Sequence, residues 1–324
     1  MDIPSERRHA RALTRQQKSY KEIGYYMSAL DYNCCTLCPR ECKADRTTSV
    51  GFCGMPDKIY AAKAMVHTSE EPCISGTRGS GAIFFSGCVL RCRFCQNYTI
   101  SHERFGKEIS IDRLSEIILE LQSRGVHNIN LVSATQYIPS VEAAIEKIKD
   151  ELTIPIVWNT GGYESIKSVD RIGRFSEVFL QDVKFFREEV SLKYASAKDY
   201  FAHAMRATER MIGLKSNPRF DPEGIMTRGV IIRHLVIPSN RKDSIMLLRE
   251  LARNFGVENI VLSLMSQYTP PSFDTGFSEL GRRLTDFEYR SVCETALELG
   301  FSGYFQERDS ARSVYTPNFD LEGI

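Results

Sequence analysis

From residue 80 onward, short apolar runs alternate with stretches in which apolar residues recur every three or four positions. AIFFS (82–86), INLVS (129–133), PIVWN (155–159), EVFLQDV (177–183), GVIIRHLVI (229–237), NIVLSLM (259–265) and GYFQE (303–307) are near-continuous apolar segments. Such segments form strands buried on both faces. Between them, DRLSEIILELQSRG places Leu114, Ile117, Ile118 and Leu121 on one helical face, and SVEAAIEKIKDEL repeats the pattern with Val141, Ala144, Ile145 and Ile148. The alternation predicts a parallel sheet covered by helices. With at least six strands and no GxGxxG turn after the first, the pattern favours an α/β fold, a full or partial (β/α) parallel barrel, over a dinucleotide-binding sheet.

Composition adds bounds. The 324 residues carry 42% hydrophobic and 26% charged side chains, enough for a real core. A net charge of +1 provides no global field toward nucleic acid. No apolar run approaches the ~20 residues of a membrane span, and the N-terminus lacks the apolar core of a signal peptide. A cytoplasmic protein is expected, without membrane or nucleic-acid partners. The start of the chain departs from neutrality, with Arg7, Arg8, Arg11, Arg15, Lys18 and Lys21 against Asp2 and Glu6. This reads as a solvated, partly helical basic arm over 1–33, with a docking surface for an acidic partner as the sharper alternative.

Cysteine changes the picture most. Nine of ten cysteines lie in the first third of the chain, and a reducing compartment makes metal or redox chemistry the better default than disulfides. The exception, Cys293, falls on an apolar stripe with Tyr289, Val292 and Ala296 behind a Thr285-x-x-Glu288 capping box, and is expected to be a buried structural thiol. Two constellations remain. Cys88-x3-Cys92-x2-Cys95 follows AIFFS directly; Cys35-x2-Cys38-x3-Cys42-x10-Cys53 lies upstream. Four thiolates close a tetrahedral zinc site or hold an iron–sulfur cluster, and both stay open for the quartet, with Cys34 able to take the place of Cys35. Three thiolates on a [4Fe–4S] cube leave one iron open to substrate, so the 88–95 loop reads as chemical and the 35–53 loop as support. The bland alternative completes the trio with Cys73 or a histidine as a structural zinc site; otherwise Cys34 and Cys73 are spare thiols.

Barrel enzymes place their active sites at the C-terminal ends of the strands. Those ends carry Thr135 and Gln136, Asn159 and Thr160, Asp182 and Lys184, Arg233 and His234, and Ser266 and Gln267. Asp182 and Lys184 are two apart on a strand, so they share a face, although an interior ion pair explains them equally. A lone His234 near an apolar strand is commonly a hydrogen-bonded core histidine.

The run GTRGSGAIFFSGCVLRCRFCQNYTIS resembles the radical SAM signature, specifically the branch typified by pyruvate formate-lyase activating enzyme, and CTLCPREC…GFCG resembles a subgroup of its homologues with an extra cysteine motif. The resemblance covers roughly residues 34 to 310. It implies a [4Fe–4S] cluster on Cys88, Cys92 and Cys95 that chelates S-adenosylmethionine, cleaves it with one electron and yields methionine and a 5′-deoxyadenosyl radical for hydrogen abstraction. It implies cofactor contacts from Phe94, Asn97, Thr135, Asn159, Asp182, Lys184 (DVK) and His234 (RHLVIP), and no catalytic residue beyond the cluster ligands. It implies as partners an electron donor such as flavodoxin or ferredoxin, and a glycyl-radical enzyme or a peptide as substrate. The family's GGE-type motif for the methionyl amine is replaced here by SATQYIP, so Ser133, Thr135 or Gln136 is expected to supply that contact. The expected units are the arm 1–33, a Cys-rich metal-binding segment 34–78, a barrel 79–310 and a tail 311–324.

Overall fold

The computed structural model describes residues 31–215, 217–306 and 317–324. The basic arm therefore lies almost wholly outside the described residues, as does the first part of the tail. The strands are β1 (Ile59–His67), β2 (Ser80–Phe85), β3 (Lys107–Ile109), β4 (Ile129–Val132), β5 (Ile156–Thr160), β6 (Val178–Asp182), β7 (Arg219–Phe220), β8 (Met226–Leu235), β9 (Val261–Met265) and β10 (Gly303–Phe305). The main helices are α1 (Ile111–Ser123), α2 (Ile138–Lys147), α3 (Ile166–Ile172), α4 (Glu188–Ala195), α5 (Tyr200–Lys215), α6 (Arg241–Phe255) and α7 (Asp286–Glu298). Strand order is β10-β9-β8-β6-β5-β4-β2-β1-β3, with β7 paired to β8. From β2 to β10 every pair on this path is parallel, so the sheet is a partial barrel. Each of the seven expected strands is present within a few residues of its expected bounds.

Register decides which side chains face inward. Phe84, Val132, Asn159, Leu180 and Ile231 stand side by side across the sheet, as do Ile83, Leu131, Trp158, Phe179 and Val230. The second set packs with the helices in the large core. The first set belongs to the concave face, where Val157, Val178, Leu180, Met226 and Ile231 form an apolar plug with Cys73 and Ile74. Helix starts follow local chemistry. Ser110 caps α1 by accepting the Arg113 N–H, and α1 buries Leu114, Ile117, Ile118 and Leu121. The Thr285–Glu288 capping box opens α7, which buries Tyr289, Val292 and Ala296; Cys293 stands at the edge of that stripe and is half-buried rather than buried.

The main sheet reaches upstream of residue 78. Strand β1, inside the expected Cys-rich segment, pairs antiparallel with β2 from Ala61↔Phe85 to His67↔Ser80 and is part of the main sheet. Its Lys63 is buried in an otherwise apolar run and pairs with Asp320 and Glu322 of the C-terminal tail, both at 2.9 Å. The Leu321 N–H donates to Ala62 O and the Ala64 N–H to Glu322 O. A lysine that needs a partner 257 residues away hides the strand from a local reading. Among the described residues no helix is long and apolar enough to cross a membrane.

Candidate active site

Strand β2 delivers the chain to the cysteine loop through Ser86 and Gly87. Gly87 has φ +81°, and a Cβ there would lie 2.2 Å from Met55 Cγ and 2.9 Å from Cys53 O, so only glycine fits the turn. The loop then presents Cys88, Cys92 and Cys95 to a cavity of about 210 Å³ at the C-terminal ends of the strands. Burial pushes the Cys92 thiol well up, against Lys184, which pulls it down. Burial and the neighbouring Cys88 also raise Cys95, whose Sγ accepts from the Ser101 hydroxyl at 3.3 Å. Thiols held protonated by burial give up their protons when a metal replaces them. Three converging sulfurs beside a roomy cavity of mixed polar and apolar lining fit an iron–sulfur cluster with one open iron.

Six of the seven residues expected to contact the cofactor line this cavity: Phe94, Asn97, Thr135, Asn159, Asp182 and Lys184. Phe94 is only 7% exposed and is held edge-on by Phe185 and Tyr194, with centroids 6.1 and 6.2 Å away. Lys184 Nζ donates to one oxygen of Asp182, and Arg233 Nε donates to the other at 2.8 Å. Burial acts to raise Asp182, but Arg233 and Lys184 overcome it and hold the carboxyl below its usual range. Burial likewise acts to lower Lys184, and the Asp182 carboxylate reverses it. Both groups are therefore ionised at neutral pH.

His234, the seventh, lies elsewhere. It does not line the cavity; it is 1% exposed, with Nδ1 2.7 Å from Val183 O and Nε2 2.8 Å from Ser244 Oγ. Strand alternation explains this. Arg233 points into the concave face, so its immediate neighbour must point into the helical layer. Cys73 is also absent from the cavity wall and sits in the apolar plug below, so it does not complete the trio.

Two acidic residues escaped the sequence reading. Glu70, in the turn after β1, accepts from Arg233 Nη1 at 3.1 Å and from Asn130 Nδ2 at 3.0 Å, and lines the cavity. Arg233 completes its fork on Asn159 Oδ1 at 2.6 Å. Glu164 is 1% exposed and accepts from the hydroxyls of Thr135 at 2.5 Å and Thr160 at 2.6 Å, while its Oε2 has no partner. Burial raises its carboxyl above the usual range. Sequence shows both only as ordinary acids in polar stretches. Among the candidates for the amine contact, Gln136 is committed elsewhere, since its Nε2 donates to Ser86 O, Gly87 O and Ser133 O. Thr135 is committed to Glu164, leaving Ser133, in a left-handed conformation at φ +60°, on the cavity wall.

The upstream quartet lies directly behind the loop. Cys35, Cys38, Cys42 and Cys53 line a small space of about 10 Å³, walled by Arg46, Phe52, Val89 and Gln136. Val89 and Gln136 also line the large cavity. Cys34 is exposed and stands outside this space, which leaves Cys35 as the inward thiol of that pair. Among the described residues, no three His, Cys, Asp or Glu side chains already stand as a ready single-ion site.

A family model described as the Radical SAM superfamily matches residues 82–252 of this chain. The chain is 28% identical over 275 residues to uncharacterized protein MJ0674 of Methanocaldococcus jannaschii, covering 82% of this chain and 73% of that protein. Among solved structures it is similar to methylornithine synthase (PylB), with a TM-score of 0.45 at 15% identity over 65% of this chain. It is similar also to Streptococcus suis SuiB bound to precursor peptide SuiA, with a TM-score of 0.46 at 12% identity over 69% of this chain. The chain spans 59% and 48% of the lengths of those two structures.

Proposed function

The chain belongs to the radical SAM superfamily, whose cofactors are a [4Fe–4S] cluster and S-adenosylmethionine, and from that premise we propose that Cys88, Cys92 and Cys95 hold the cluster and that the cavity beside them holds S-adenosylmethionine. The observation that carries this reading is the convergence of the three thiols with an ionised Asp182–Lys184 pair on one cavity. When bound there, the pair of cofactors supplies a 5′-deoxyadenosyl radical for hydrogen abstraction.

The chain's own residues bind and shield. Lys184 offers a fixed cation to a carboxylate, and Asp182 offers a carboxylate to a cationic group. Arg233 keeps Asp182 in place by tying it to Glu70 and Asn159. Phe94, packed by two aromatic rings, gives a flat apolar wall for a base and keeps water from the thiols. Asn97 and Ser133 add polar contacts on the same wall. The chemistry needs an external one-electron donor, for which a flavodoxin or ferredoxin is the fitting class.

The target we favour is a backbone C–H of a protein or peptide, as in glycyl-radical activation, on the likeness of residues 76–101 to the activating-enzyme run. A second target class, a different peptide modification or a small molecule, is favoured by one observation: Gln136 is locked onto backbone carbonyls where a GGE-type contact is expected. Anaerobic reconstitution with iron and sulfide, followed by reduction with S-adenosylmethionine, should release 5′-deoxyadenosine and methionine. A reconstituted cluster that yields neither would leave a non-catalytic iron–sulfur or zinc protein as the better reading. Peptides with deuterated glycine separate the targets, since backbone abstraction carries deuterium into 5′-deoxyadenosine.

A further inference from the structure

Arg46 is fully buried, at 0% exposure, and among the described residues it has no carboxylate partner. Its Nε donates to Met55 O at 3.0 Å, Nη1 to Gln136 O at 2.7 Å and Nη2 to Pro56 O at 2.5 Å. The ring of Tyr32 lies 4.7 Å from its Cζ. Carbonyls and a ring satisfy hydrogen bonds but do not neutralise a charge, and a buried charge without a counter-ion is strongly unfavourable. The remaining neighbours are thiols. Nη1 lies 3.7 Å from Cys35 Sγ, and Arg46 forms one wall of the space that Cys35, Cys38, Cys42 and Cys53 line. Gly51 keeps that space open. A Cβ there would lie 3.3 Å from Arg46 Cδ and 3.4 Å from both Cys42 Sγ and Cys53 Sγ.

We propose that Cys35, Cys38, Cys42 and Cys53 bind a thiophilic metal as an anionic tetrathiolate centre, with Arg46 as its buried counter-cation, and that this centre positions the Cys88 loop. Binding releases the thiol protons to solvent and leaves net negative charge beside the guanidinium, which is the charge Arg46 lacks. The same donor set takes a zinc ion or an iron–sulfur cluster. Positioning runs through short connections. The Gln136 carbonyl accepts from Arg46, while its side-chain amide donates to Ser86 O and Gly87 O at 2.9 and 3.3 Å. The Cys88 N–H points to Cys53 O at 3.4 Å.

The test uses the full chain with Cys88, Cys92 and Cys95 replaced by Ala, purified anaerobically, so the site is judged apart from any radical chemistry. One zinc per chain, or iron with matching sulfide, supports the centre and identifies it; neither metal overturns it. In the same background, Arg46→Met should lose metal to a competing chelator at least tenfold more readily, and Arg46→Lys should restore retention. Equal retention in Met and Lys variants overturns the counter-ion role. If Arg46→Met does not fold, Cys42→Ser, at an exposed position, carries the metal test by the same loss. With the trio intact, Cys42→Ser should shift the electron paramagnetic resonance signal of the reduced Cys88 cluster, and an unchanged signal overturns the positioning role.

Discussion

The two cysteine loops lie back to back, separated by Val89 and Gln136, yet their surroundings differ in kind. The 88–95 loop opens on about 210 Å³ of cavity at the strand ends, and the ionised Asp182 and Lys184 face it. The 35–53 loop lines only about 10 Å³, near the size of one water-sized sphere, beside a cation whose partners among the described residues are carbonyls, a ring and sulfur. Thiol count, three against four, already points the same way, and the surroundings add room and charge to it. One loop faces vacant space and convergent charge; the other faces little space and a buried guanidinium.

The sharpest way to break this contrast is to remove thiols from each side. Replacing Cys88, Cys92 or Cys95 by Ala should drop 5′-deoxyadenosine to background while circular dichroism reports an intact fold. Cys38→Ser should lower the yield without abolishing it. Equal loss on both sides would erase the distinction between a roomy and a tight site. The next effect is at the floor of the open cavity. Asp182→Asn leaves Lys184 and part of the Arg233 fork unpaired, so denaturant unfolding should show a loss approaching ~3–5 kcal/mol, together with weaker S-adenosylmethionine binding. Stability lost with binding unchanged would make the pair purely structural.

His234→Ala is the control from the opposite face of the same strand. It removes the buried partner of the Val183 carbonyl and of the Ser244 hydroxyl and should cost about 1–3 kcal/mol, with S-adenosylmethionine affinity unchanged. Burial holds the His234 pKa below its usual 6.5. Its contribution to stability is therefore present above that value and lost as pH falls through it. A thermal-melt series from pH 8 to 5 should be flatter in His234→Gln than in the parent. The smallest effect belongs to Glu164, which touches the open cavity through Thr135 and Thr160 and also bears electrostatically on Cys38. Burial raises its pKa, so the folded state binds its proton more tightly than the unfolded state, and stability falls as pH rises above 4.5. Glu164→Gln should remove that fall; an unchanged slope would mean that Glu164 does not titrate on its own.

Sequence by itself determined the parallel β/α order, the helix cap at Thr285, and the trio at the end of β2, because each rests on local periodicity or spacing. It also placed Asp182 and Lys184 on one face, since strand alternation is a two-residue rule. The same rule, applied to Arg233 and His234, separates them, and the structure sends the histidine into the helical layer. Only the tertiary structure decided the rest. Strand β1 is held by a tail more than 250 residues downstream, Glu70 reaches the cavity from outside the parallel repeat, and Arg46 acquires its thiol surroundings by burial. These depend on which distant groups share a low-dielectric space, and the energy of a buried charge is set by such neighbours rather than by residues adjacent in the chain.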